Sequence, residues 1–546
     1  MSDSSRTWPG AAALPLRVFP ESSLGASRVT TPLGDLRVLT LRGSDIQRAA
    51  DYGHRLRETI QRGVPKIWAD TPRELLGRSA YASLTSTALG VMRRVVRPQL
   101  TEHLPAPELD KLAALADASQ LSLDTLLDAH LMPELTAWLI ARAHTLSRIP
   151  GAPSFHAPLP LSSSGVVART PDHGILHGRN LDAPGAGSFD RFATVTLHCP
   201  SDGLHYAAVS SAGILGAGHA AMNSAGLTLS THQHTPDELD LSATPLGHAG
   251  ATIMRTARSI EDAVSVLREF PPVSSWTYVL TEGDTGRAAF VEVAPGHMRA
   301  PLIPKHVQAF GITQPQAPDA HEASRHHAHA PSARAHRARA RRLLECVLED
   351  PPSTPADLAR HLTDTVDPDT GALRLFGPTI AALNTVSSVV FEPRARRLWV
   401  AVGSAPVSQG WFVPIALGPL SPGLDTSRVP FVADPAWAGS PRARALDALT
   451  QAARRQGRGE GPDKIMVDLE HALALVDDEP NLHVLAGLVA LKRGRGRRAE
   501  GALTRALGLE HDPERRAEIR LYTAWALEAL AGLVQAQEAT AHGGHD

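Results

Sequence analysis

The chain has 546 residues, which exceeds the size of one ordinary hydrophobic core and predicts about three domains. Its 54 basic and 56 acidic residues give a formal charge of −2, so we expect neither a nucleic-acid partner nor binding to an anionic membrane surface. The two cysteines, Cys199 and Cys346, exclude a disulfide framework and a thiolate metal cluster, and each is interpreted as a small buried hydrophobic residue.

Residues 1–27 are rich in serine, proline, alanine and glycine, which predicts a loosely ordered arm. The arm lacks the basic start and unbroken apolar stretch of a signal peptide. No later run is apolar for long enough to cross a bilayer, so no membrane partner is expected. A cytoplasmic protein is therefore the default prediction.

Residues 28–162 form a lead-in that is expected to be mainly helical. Ser44, with a glutamine three residues later, makes a capping box that predicts the start of a helix, and Gly63 is expected to end that helix. A strand is expected before this helix, at 33–41. Further helices are expected after it, at 73–96, 106–118 and from Ser122 onward. Prolines and small residues in 149–161 predict an exposed, extended connection that leads into the next region.

A β-hairpin follows this connection. Two short β runs, 165–170 and 175–181, flank the turn sequence Pro-Asp-His-Gly. Antiparallel pairing can bring the two ends of such a hairpin within side-chain reach of each other. We therefore expect Ser163, at the start of the first strand, to lie near Arg179 and Asp182 at the end of the second.

Strands and helices alternate in blocks after the hairpin, which predicts a core domain of residues 163–420. Because strands come first, helices next and strands again last, the pattern predicts a layered α+β fold built by antiparallel addition instead of βαβ units. The strands are expected at 193–198, 204–210, 227–231, 276–281, 287–293, 385–391 and 397–402, and the helices at 252–258, 259–270 and 335–349.

Residues 440–546 differ from the core in composition and predict a separate α-helical domain. Helical patterns are expected at 443–455, 465–475, 481–493, 497–507 and 513–531, with short turns between them. Their spacing is similar to that of tetratricopeptide (TPR) repeats, of which about two would fit. Because such units bury their apolar faces by stacking, this domain is expected to pack on the core or to bind a protein partner.

Several motifs, taken in their order along the chain, give a family resemblance. The strongest is the Gly-Arg-Asn-Leu-Asp sequence of 178–182, which closes the hairpin. The others are Met222–Leu227, the helices of 255–267, the hairpin of 279–292 and Asn384–Val390. Over about residues 33–415 the chain resembles the N-terminal nucleophile (Ntn) hydrolases of the isopenicillin-N acyltransferase-like and choloylglycine hydrolase group. The resemblance implies a four-layer αββα core with a helical pro-region before it.

The resemblance also implies a nucleophile and a maturation step. In these families a cysteine opens the first hairpin strand, and Ser163 occupies its position here. Ser162 stands where glycine is usual in members that cleave themselves. The implied cut lies between Ser162 and Ser163 and would give chains of 162 and 384 residues.

The implied chemistry is hydrolysis or acyl transfer at a linear carbon–nitrogen amide bond of a small molecule. The free α-amine of Ser163 would act as the base for its own hydroxyl. Asp182 would hold the amine, and Arg179 would orient the nucleophile and offset negative charge. The positions that best match the family's two site asparagines carry Gln233 and Gln314. The expected oxyanion donors are Gln233 with a backbone N–H, and secondarily Asn223 and Gln314.

Other interpretations remain open at this stage. The serines around Ser163 are also typical of turns, and Arg179 with Asp182 can form a purely structural ion pair. The chain could be an inactive Ntn-fold protein that acts as a binding scaffold through its C-terminal helices. It could also be a serine amidase that works without cleavage, in which Ser163 is paired with His232 or His234.

No metal and no cofactor is expected. A set of histidines in an alanine-rich segment is interpreted as a solvated insertion, because nothing fixes a coordination geometry around them; these are His321, His326, His327, His329 and His336. The arginine-rich run 337–342 is interpreted as one charged helix face. By analogy with the family, Arg337 is the member of this run that would reach the site.

Overall fold

The computed structural model describes residues 16–22, 26–76, 89–147, 162–183, 186–234, 239–305, 309–311, 331–377, 379–418, 422–513, 515–517, 519–524 and 526–528. The chain divides into two units. The first unit comprises Met1–Asp364 and Ile380–Ala433, and the second comprises Thr365–Thr379 and Asp434–Asp546.

Two β-sheets form the centre of the first unit. The described strands are β1 (Arg17–Ser22), β2 (Ala26–Thr31), β3 (Gly34–Gly43), β4 (Ser162–Thr170), β5 (Gly174–Asp182), β6 (Ala193–Pro200), β7 (Tyr206–Ser211), β8 (Ala220–Asn223), β9 (Leu227–Gln233), β10 (Trp276–Glu282), β11 (Ala288–Ala294), β12 (His297–Arg299), β13 (Ala309–Gly311), β14 (Thr385–Glu392), β15 (Arg397–Val402), β16 (Trp411–Ala416), β17 (Gly423–Leu424) and β18 (Phe431–Val432). One sheet has ten strands in the order β1-β2-β3-β6-β7-β8-β9-β10-β11-β12. The other has eight, in the order β13-β4-β5-β14-β15-β16-β17, with β18 also paired to β16.

Helices of the first unit come from both the lead-in and the core. They are α1 (Asp45–Arg55), α2 (Arg57–Leu76), a π-helical turn (Met92–Val96) that continues into α3 (Arg97–Glu102), α4 (Ala106–Ser119), α5 (Leu123–His130), α6 (Met132–Ser147), α7 (Leu246–Thr256), α8 (Ile260–Glu269), α9 (Pro331–Glu349) and α10 (Pro355–His361). Short 3-10 turns occur at Asp190–Phe192, Pro393–Ala395 and Val407–Gln409. Within the described residues, no helix combines the length and the apolar character required to cross a bilayer.

Strand periodicity decides which layer each side chain joins. Successive residues of a strand point to opposite faces of its sheet. In β7, Ala207 and Val209 pack in a cluster shared with the eight-stranded sheet, whereas Tyr206 and Ala208 pack in a cluster with α7 and α8. In β14, which belongs to the eight-stranded sheet, Val390 packs with α9 and α10. The two sheets therefore face each other, and helices pack against the opposite face of each sheet. The predicted mixed α+β class is confirmed.

The lead-in begins as the capping box predicts, but its first helix ends differently. The Ser44 side chain accepts a hydrogen bond from the Gln47 backbone, and the reciprocal bond is also present. The helix ends at Arg55, and α2 then continues through Gly63, so the prediction that Gly63 ends it is wrong. A Cβ at Gly63 would lie 2.9 Å from the Phe192 ring, so close packing explains this glycine. The helix predicted at 73–96 is helical at 73–76, but these residues belong to α2, so a separate start at Arg73 is wrong; 92–96 form the π-helical turn, and 77–88 lie outside the described part of the chain.

The arm and the lead-in contribute more strand than the sequence predicts. Strand β1 lies inside the predicted loose arm, and its Val18 pairs with Val29 of β2 and packs on the core between the sheets. Strands β1, β2 and β3 all belong to the ten-stranded sheet. Strand β3 pairs with β6 in parallel, which corrects the expectation of purely antiparallel addition. The long chain between β3 and β6 permits this crossover.

The second unit combines α11 (Pro441–Gly457), α12 (Pro462–Leu475), α13 (Pro480–Lys492) and α14 (Gly496–Leu509) with residues 365–379. The predicted helices in this region are confirmed as far as α14, whereas the TPR-like repeat remains a prediction. Residues 365–379 were not expected here. Arg374 lies 3.4 Å from Glu510 and 3.5 Å from Glu479, and the Leu375 N–H donates to Glu479 at 2.7 Å. These buried contacts explain why a segment from the middle of the chain belongs to the helical unit.

One buried carboxyl group joins the lead-in to the core. Glu134 of α6 accepts a hydrogen bond of 2.7 Å from the Leu246 N–H at the start of α7. Its second oxygen has no hydrogen-bond partner among the described residues. Burial raises the pKa of Glu134 to about 7, because an ionised carboxylate loses its hydration there.

This shift predicts a pH-dependent stability. The folded protein holds the Glu134 proton up to about pH 7, whereas the unfolded chain releases it near 4.5. The contribution of this group to the free energy of unfolding should therefore fall as pH rises between these values, by roughly 3 kcal/mol. Glu134→Gln should remove this slope, measured by chemical denaturation at a series of pH values. The exposed Glu102→Gln variant is the control, and an unchanged slope in Glu134→Gln would contradict the assignment.

Candidate active site

The β4–β5 hairpin forms as the sequence predicts and sets the direction of each serine. The register pairs Ser163 with Leu181, Ser164 with Asn180, and Ser162 with Asp182. Because the side-chain period of a strand is two, Ser163 and Ser164 point to opposite faces of the hairpin. The Ser163 side chain points between the two sheets, and the Ser164 side chain points towards α9.

The Ser163 hydroxyl meets a histidine from the opposing sheet. Its Oγ lies 2.6 Å from His232 Nδ1 of β9, and both residues are buried, with Ser163 only 4% exposed. A heavy-atom separation of this size is within the range in which a side chain can abstract a proton. The structure thus provides the nearby histidine nitrogen that the cleavage-independent interpretation required.

A series of hydrogen bonds continues from this histidine into the interior. Ser230 Oγ lies 3.0 Å from His232 Nε2 and 2.8 Å from His177 Nε2. His177 Nδ1 lies 2.9 Å from Thr228 Oγ1, which in turn lies 2.5 Å from Thr281 Oγ1. Burial, with a smaller effect from a neighbouring positive charge, lowers the pKa of His177 to about 3. This imidazole is therefore neutral, with one donating and one accepting nitrogen.

Arg179 is on the same face of the hairpin as Ser163. Its Nη2 donates a hydrogen bond of 2.9 Å to the carbonyl of Thr231, the residue before His232. Burial lowers the pKa of Arg179 to about 9, while the charge of Asp182 acts in the opposite direction. The guanidinium is thus still charged at neutral pH. Its Nε is buried and has no hydrogen-bond partner among the described residues.

Asp182 is on the other face, where it forms a buried network with α9. Arg339 Nη2 forms an ion pair with Asp182 Oδ2 and donates to Ser164 Oγ at 3.1 Å. Thr385 of β14 donates to Asp182 Oδ1 at 2.5 Å. The expectation that Arg179 and Asp182 converge on one hydroxyl is therefore corrected. The two residues are three positions apart in a strand, so their side chains point to opposite faces.

The structure directs the side chains of Gln233 and Asn223 to partners other than Ser163. Gln233 follows His232 directly and points to the other face of β9, where its Nε2 donates to the Pro133 carbonyl at 3.3 Å. This placement argues against its predicted role as an oxyanion donor. The Asn223 amide donates to the carbonyls of two residues at the end of α7, Met254 and Ala257, so its hydrogens are already occupied. Gln314 lies outside the described residues.

A cavity opens beside Ser163. Its lining is mostly apolar, with Leu181, the cross-strand partner of Ser163, among the lining residues. Lead-in residues such as Ile67 and Met132 form part of its wall. His219 contributes a polar group whose pKa is lowered to about 3, mainly by burial and secondarily by the charge of Arg179. The cavity can therefore receive a mainly apolar group next to the hairpin.

Sequence reasoning missed several members of this site. The run of arginines was interpreted as a charged helix face with Arg337 directed at the site, but Arg339 is the residue that reaches Asp182. His232 is one of the two histidines that the sequence predicts as candidate partners of Ser163, whereas Thr228 and Ser230, which recur with it at every second position of a buried strand, are not among the predicted residues. That alternation is the sequence signal that could have revealed an inward-facing polar row.

Comparisons with known proteins address this region of the chain. Residues 169–406 match the model of the acyl-coenzyme A:6-aminopenicillanic acid acyl-transferase family. A Caenorhabditis elegans N-acylethanolamine-hydrolyzing acid amidase (NAAA) ortholog is similar in structure, with 13% sequence identity and a TM-score of 0.30. That similarity covers 42% of this chain and 93% of the ortholog chain. A search of curated proteins gave no match.

The family match covers 238 of the 546 residues, so it indicates a similarity to these acyl-transferases over this region of the chain. The matched residues include Arg179, Asp182, His232 and Arg339. The match begins after Ser163, so it does not cover the nucleophile position.

The buried Asp182–Arg339 pair predicts a large stability effect. Arg339→Met would leave the carboxylate of Asp182 in the interior without its cation, which typically costs about 3–5 kcal/mol. We expect a loss of that size in the free energy of unfolding, measured by chemical denaturation. Adding Asp182→Asn to the same chain should recover part of the loss.

Arg341→Met is the matched control on the same helix. Arg341 is exposed and lies 3.5 Å from Glu345, and exposed pairs of this kind contribute about 0–1 kcal/mol. Equal losses in the Arg339 and Arg341 variants would contradict a structural role for the Asp182 pair.

Proposed function

We propose that the first unit is an Ntn-type amidohydrolase or acyltransferase with a four-layer αββα core, in which Ser163 Oγ attacks a linear carbon–nitrogen amide bond. The observation that carries this proposal is the 2.6 Å contact between Ser163 Oγ and His232 Nδ1. A lone buried serine hydroxyl is a poor nucleophile, and an adjacent base is the usual means of activating it.

The hydrogen-bond series gives His232 the tautomer that a base requires. If the Ser163 hydroxyl donates to His232 Nδ1, the ring keeps its hydrogen on Nε2 and donates it to Ser230. Ser230 then donates to His177 Nε2, and His177 Nδ1–H donates to Thr228. Every donor in this direction meets an acceptor, and His232 Nδ1 accepts from the hydroxyl whose proton it would take.

The first reaction of this hydroxyl would be cleavage of its own chain. Ser163 Oγ attacks the carbonyl carbon of Ser162 while its proton passes to His232. The C–N bond then breaks, the nitrogen of Ser163 takes a proton from the imidazolium, and an ester joins the two residues. Water hydrolyses the ester, which leaves a carboxylate on Ser162 and a free amine and hydroxyl on Ser163.

The mature site would then follow the Ntn pattern. The new α-amine, with a reference pKa of about 7.7–8.0, becomes available as a base. Asp182 is the register partner of Ser162, so its backbone lies opposite the residue whose peptide bond would be cut, while its carboxylate is held by Arg339 and Thr385. Arg179 offers the donor for negative charge on the tetrahedral intermediate, because its buried Nε has no other partner among the described residues.

A second candidate is an amidase that acts in the intact chain. The same contact between Ser163 and His232 supports it, because a serine–histidine pair can activate a hydroxyl without a free amine. The scaffold interpretation is not favoured, because it leaves this buried pair and the adjacent cavity without a role. In either enzyme the cavity beside Leu181 would receive one side of a small-molecule amide.

Intact-mass analysis of the purified protein tests maturation. The wild-type chain should give two fragments of 162 and 384 residues, whereas Ser163→Ala should remain intact. Ser164→Ala is the matched control, because this neighbouring serine points away from His232 and bonds Arg339 instead. The control should still cleave.

Activity on a panel of N-acyl amides separates the remaining cases. A wild-type chain that stays intact yet hydrolyses an amide, with the activity lost in Ser163→Ala, would identify the cleavage-independent amidase. An intact wild-type chain without activity on any amide, in the presence of a folded first unit, would overturn the enzyme proposal.

His232→Gln tests the base. Glutamine keeps a polar side chain at this position but cannot accept the proton, so self-cleavage should slow by about 10²–10⁴-fold. The rate is followed as the appearance of the two fragments after cell-free synthesis. His234→Gln is the control, since His234 lies two residues further along and bonds Thr277. Cleavage of His232→Gln at the wild-type rate would exclude His232 as the base.

A further inference from the structure

A second cleft lies on the outer, helix-covered face of the ten-stranded sheet. It is lined by residues of α1, α4 and α7 on one side and of β6 and β7 on the other. In β6, Val195 and Leu197 pack towards the other sheet, so His198 points to the helices. Ser163 and His232 meet on the opposite face of this sheet. The cleft is therefore separate from the proposed active site.

Three cations and two carboxylates line this cleft. Glu108 lies 2.5 Å from Lys111 and 3.1 Å from His248. Burial alone would raise the pKa of Glu108, but these two neighbours hold it at about 2, so this carboxylate is ionised. The charge of Lys111 is thus largely compensated within α4.

The two arginines of the cleft share one carboxylate. Asp45 forms an ion pair with Arg48, and the same carboxylate lies 3.7 Å from Arg255. This separation is too long for a hydrogen bond, and the Arg255 guanidinium donates no hydrogen bond to a described residue. The cleft therefore holds one more cation than its carboxylates compensate, and the partly exposed guanidinium of Arg255 lines it with donors that no described residue accepts from.

Two buried nitrogens of the cleft also have no partner. Arg48 and His198 line the cleft and are both more than nine-tenths buried. Arg48 Nε and His198 Nδ1 make no hydrogen bond to any described residue. His198 Nε2 lies 3.0 Å from Thr196 Oγ1, and burial keeps the pKa of His198 well below its usual range. A neutral ring whose Nε2 accepts from Thr196 carries its hydrogen on Nδ1, which adds a donor at the cleft.

We propose that this cleft binds a small-molecule anion through a carboxylate or phosphate group, with Arg255, Arg48 and His198 as its donors. Planar guanidinium groups match the oxygens of both kinds of anion, and a buried donor without a partner is costly until such a ligand binds. The ring of Tyr206 is stacked on His198 at 4.4 Å between centroids and fixes the orientation of the imidazole.

The position of the cleft means that a bound anion would contact both the lead-in and the core. Arg48 and Lys111 belong to the lead-in, whereas His198 and Arg255 belong to the core that follows the hairpin. A bound anion would therefore connect the two parts of the first unit that the proposed cleavage separates. This consequence rests on the proposed function, but binding of the anion itself does not.

Titration of the full chain with inorganic phosphate and, separately, with acetate tests the proposal. Ionic strength is kept constant with chloride, and binding is followed by calorimetry and by the rise in Tm. One of the two anions should bind with a saturable effect, and the one that binds identifies the charged group. Arg255→Gln should raise its Kd by about tenfold or more, as expected for loss of a charge-assisted hydrogen bond.

Arg258→Gln is the matched control, because Arg258 is an exposed arginine three residues further along that does not line the cleft. It should bind the anion as the wild type does. Arg255 is partly exposed, so its variant should keep the wild-type Tm in chloride alone. No saturable effect of either anion, or equal Kd values for the two variants, would overturn the site. Because self-cleavage is not measured here, this result is independent of the outcome at Ser163.

Discussion

The contact between the Ser163 hydroxyl and the His232 imidazole depends on the direction of side chains in two strands from different sheets. Ser163 points between the sheets because it pairs with Leu181, and His232 points to the same space because it alternates with the residues that pack on α7 and α8. A shift of one residue in either strand would turn the side chain to the other face. The site therefore rests on strand register more than on any single hydrogen bond.

The burial of charged side chains is the second constraint, and the β4–β5 hairpin carries such side chains on both of its faces. Asp182 and Arg339 neutralise each other on the helix side, with a threonine hydroxyl as an additional donor. Arg179 on the other face makes no ion pair with a described residue and makes one hydrogen bond to a backbone carbonyl. A buried cation with an unused donor is costly for folding. Such a cost is expected where negative charge develops during a reaction, because preorganised donors lower its energy.

The sequence predicts the elements of this site better than their directions. Turn composition and run length are local properties, so the hairpin and the capping box at Ser44 could be predicted. The face of each side chain depends on an exact register, and one residue separates Gln233, which points away from Ser163, from His232, which contacts it. On a helix, the step of two residues from Arg337 to Arg339 corresponds to a rotation of about 200°, which a run of arginines cannot specify. Long-range pairing, such as that of β3 with β6, leaves no local signal.

Serine in place of cysteine makes the histidine necessary in the proposed reaction. A cysteine thiol, with a pKa of about 8.5, supplies some thiolate near neutral pH, so its first attack needs little assistance. An alcohol supplies no comparable anion, and before cleavage Ser163 has no free amine to act as base. Proton transfer to His232 creates an imidazolium and a developing oxyanion together, so the net charge of the buried site does not change. Arg179 then opposes the imidazolium but favours the oxyanion. Arg179 binds the carbonyl of the residue before His232, and its Nε has no partner among the described residues. Whether its attraction for the oxyanion exceeds its repulsion of the imidazolium therefore depends on how closely that Nε approaches the oxyanion.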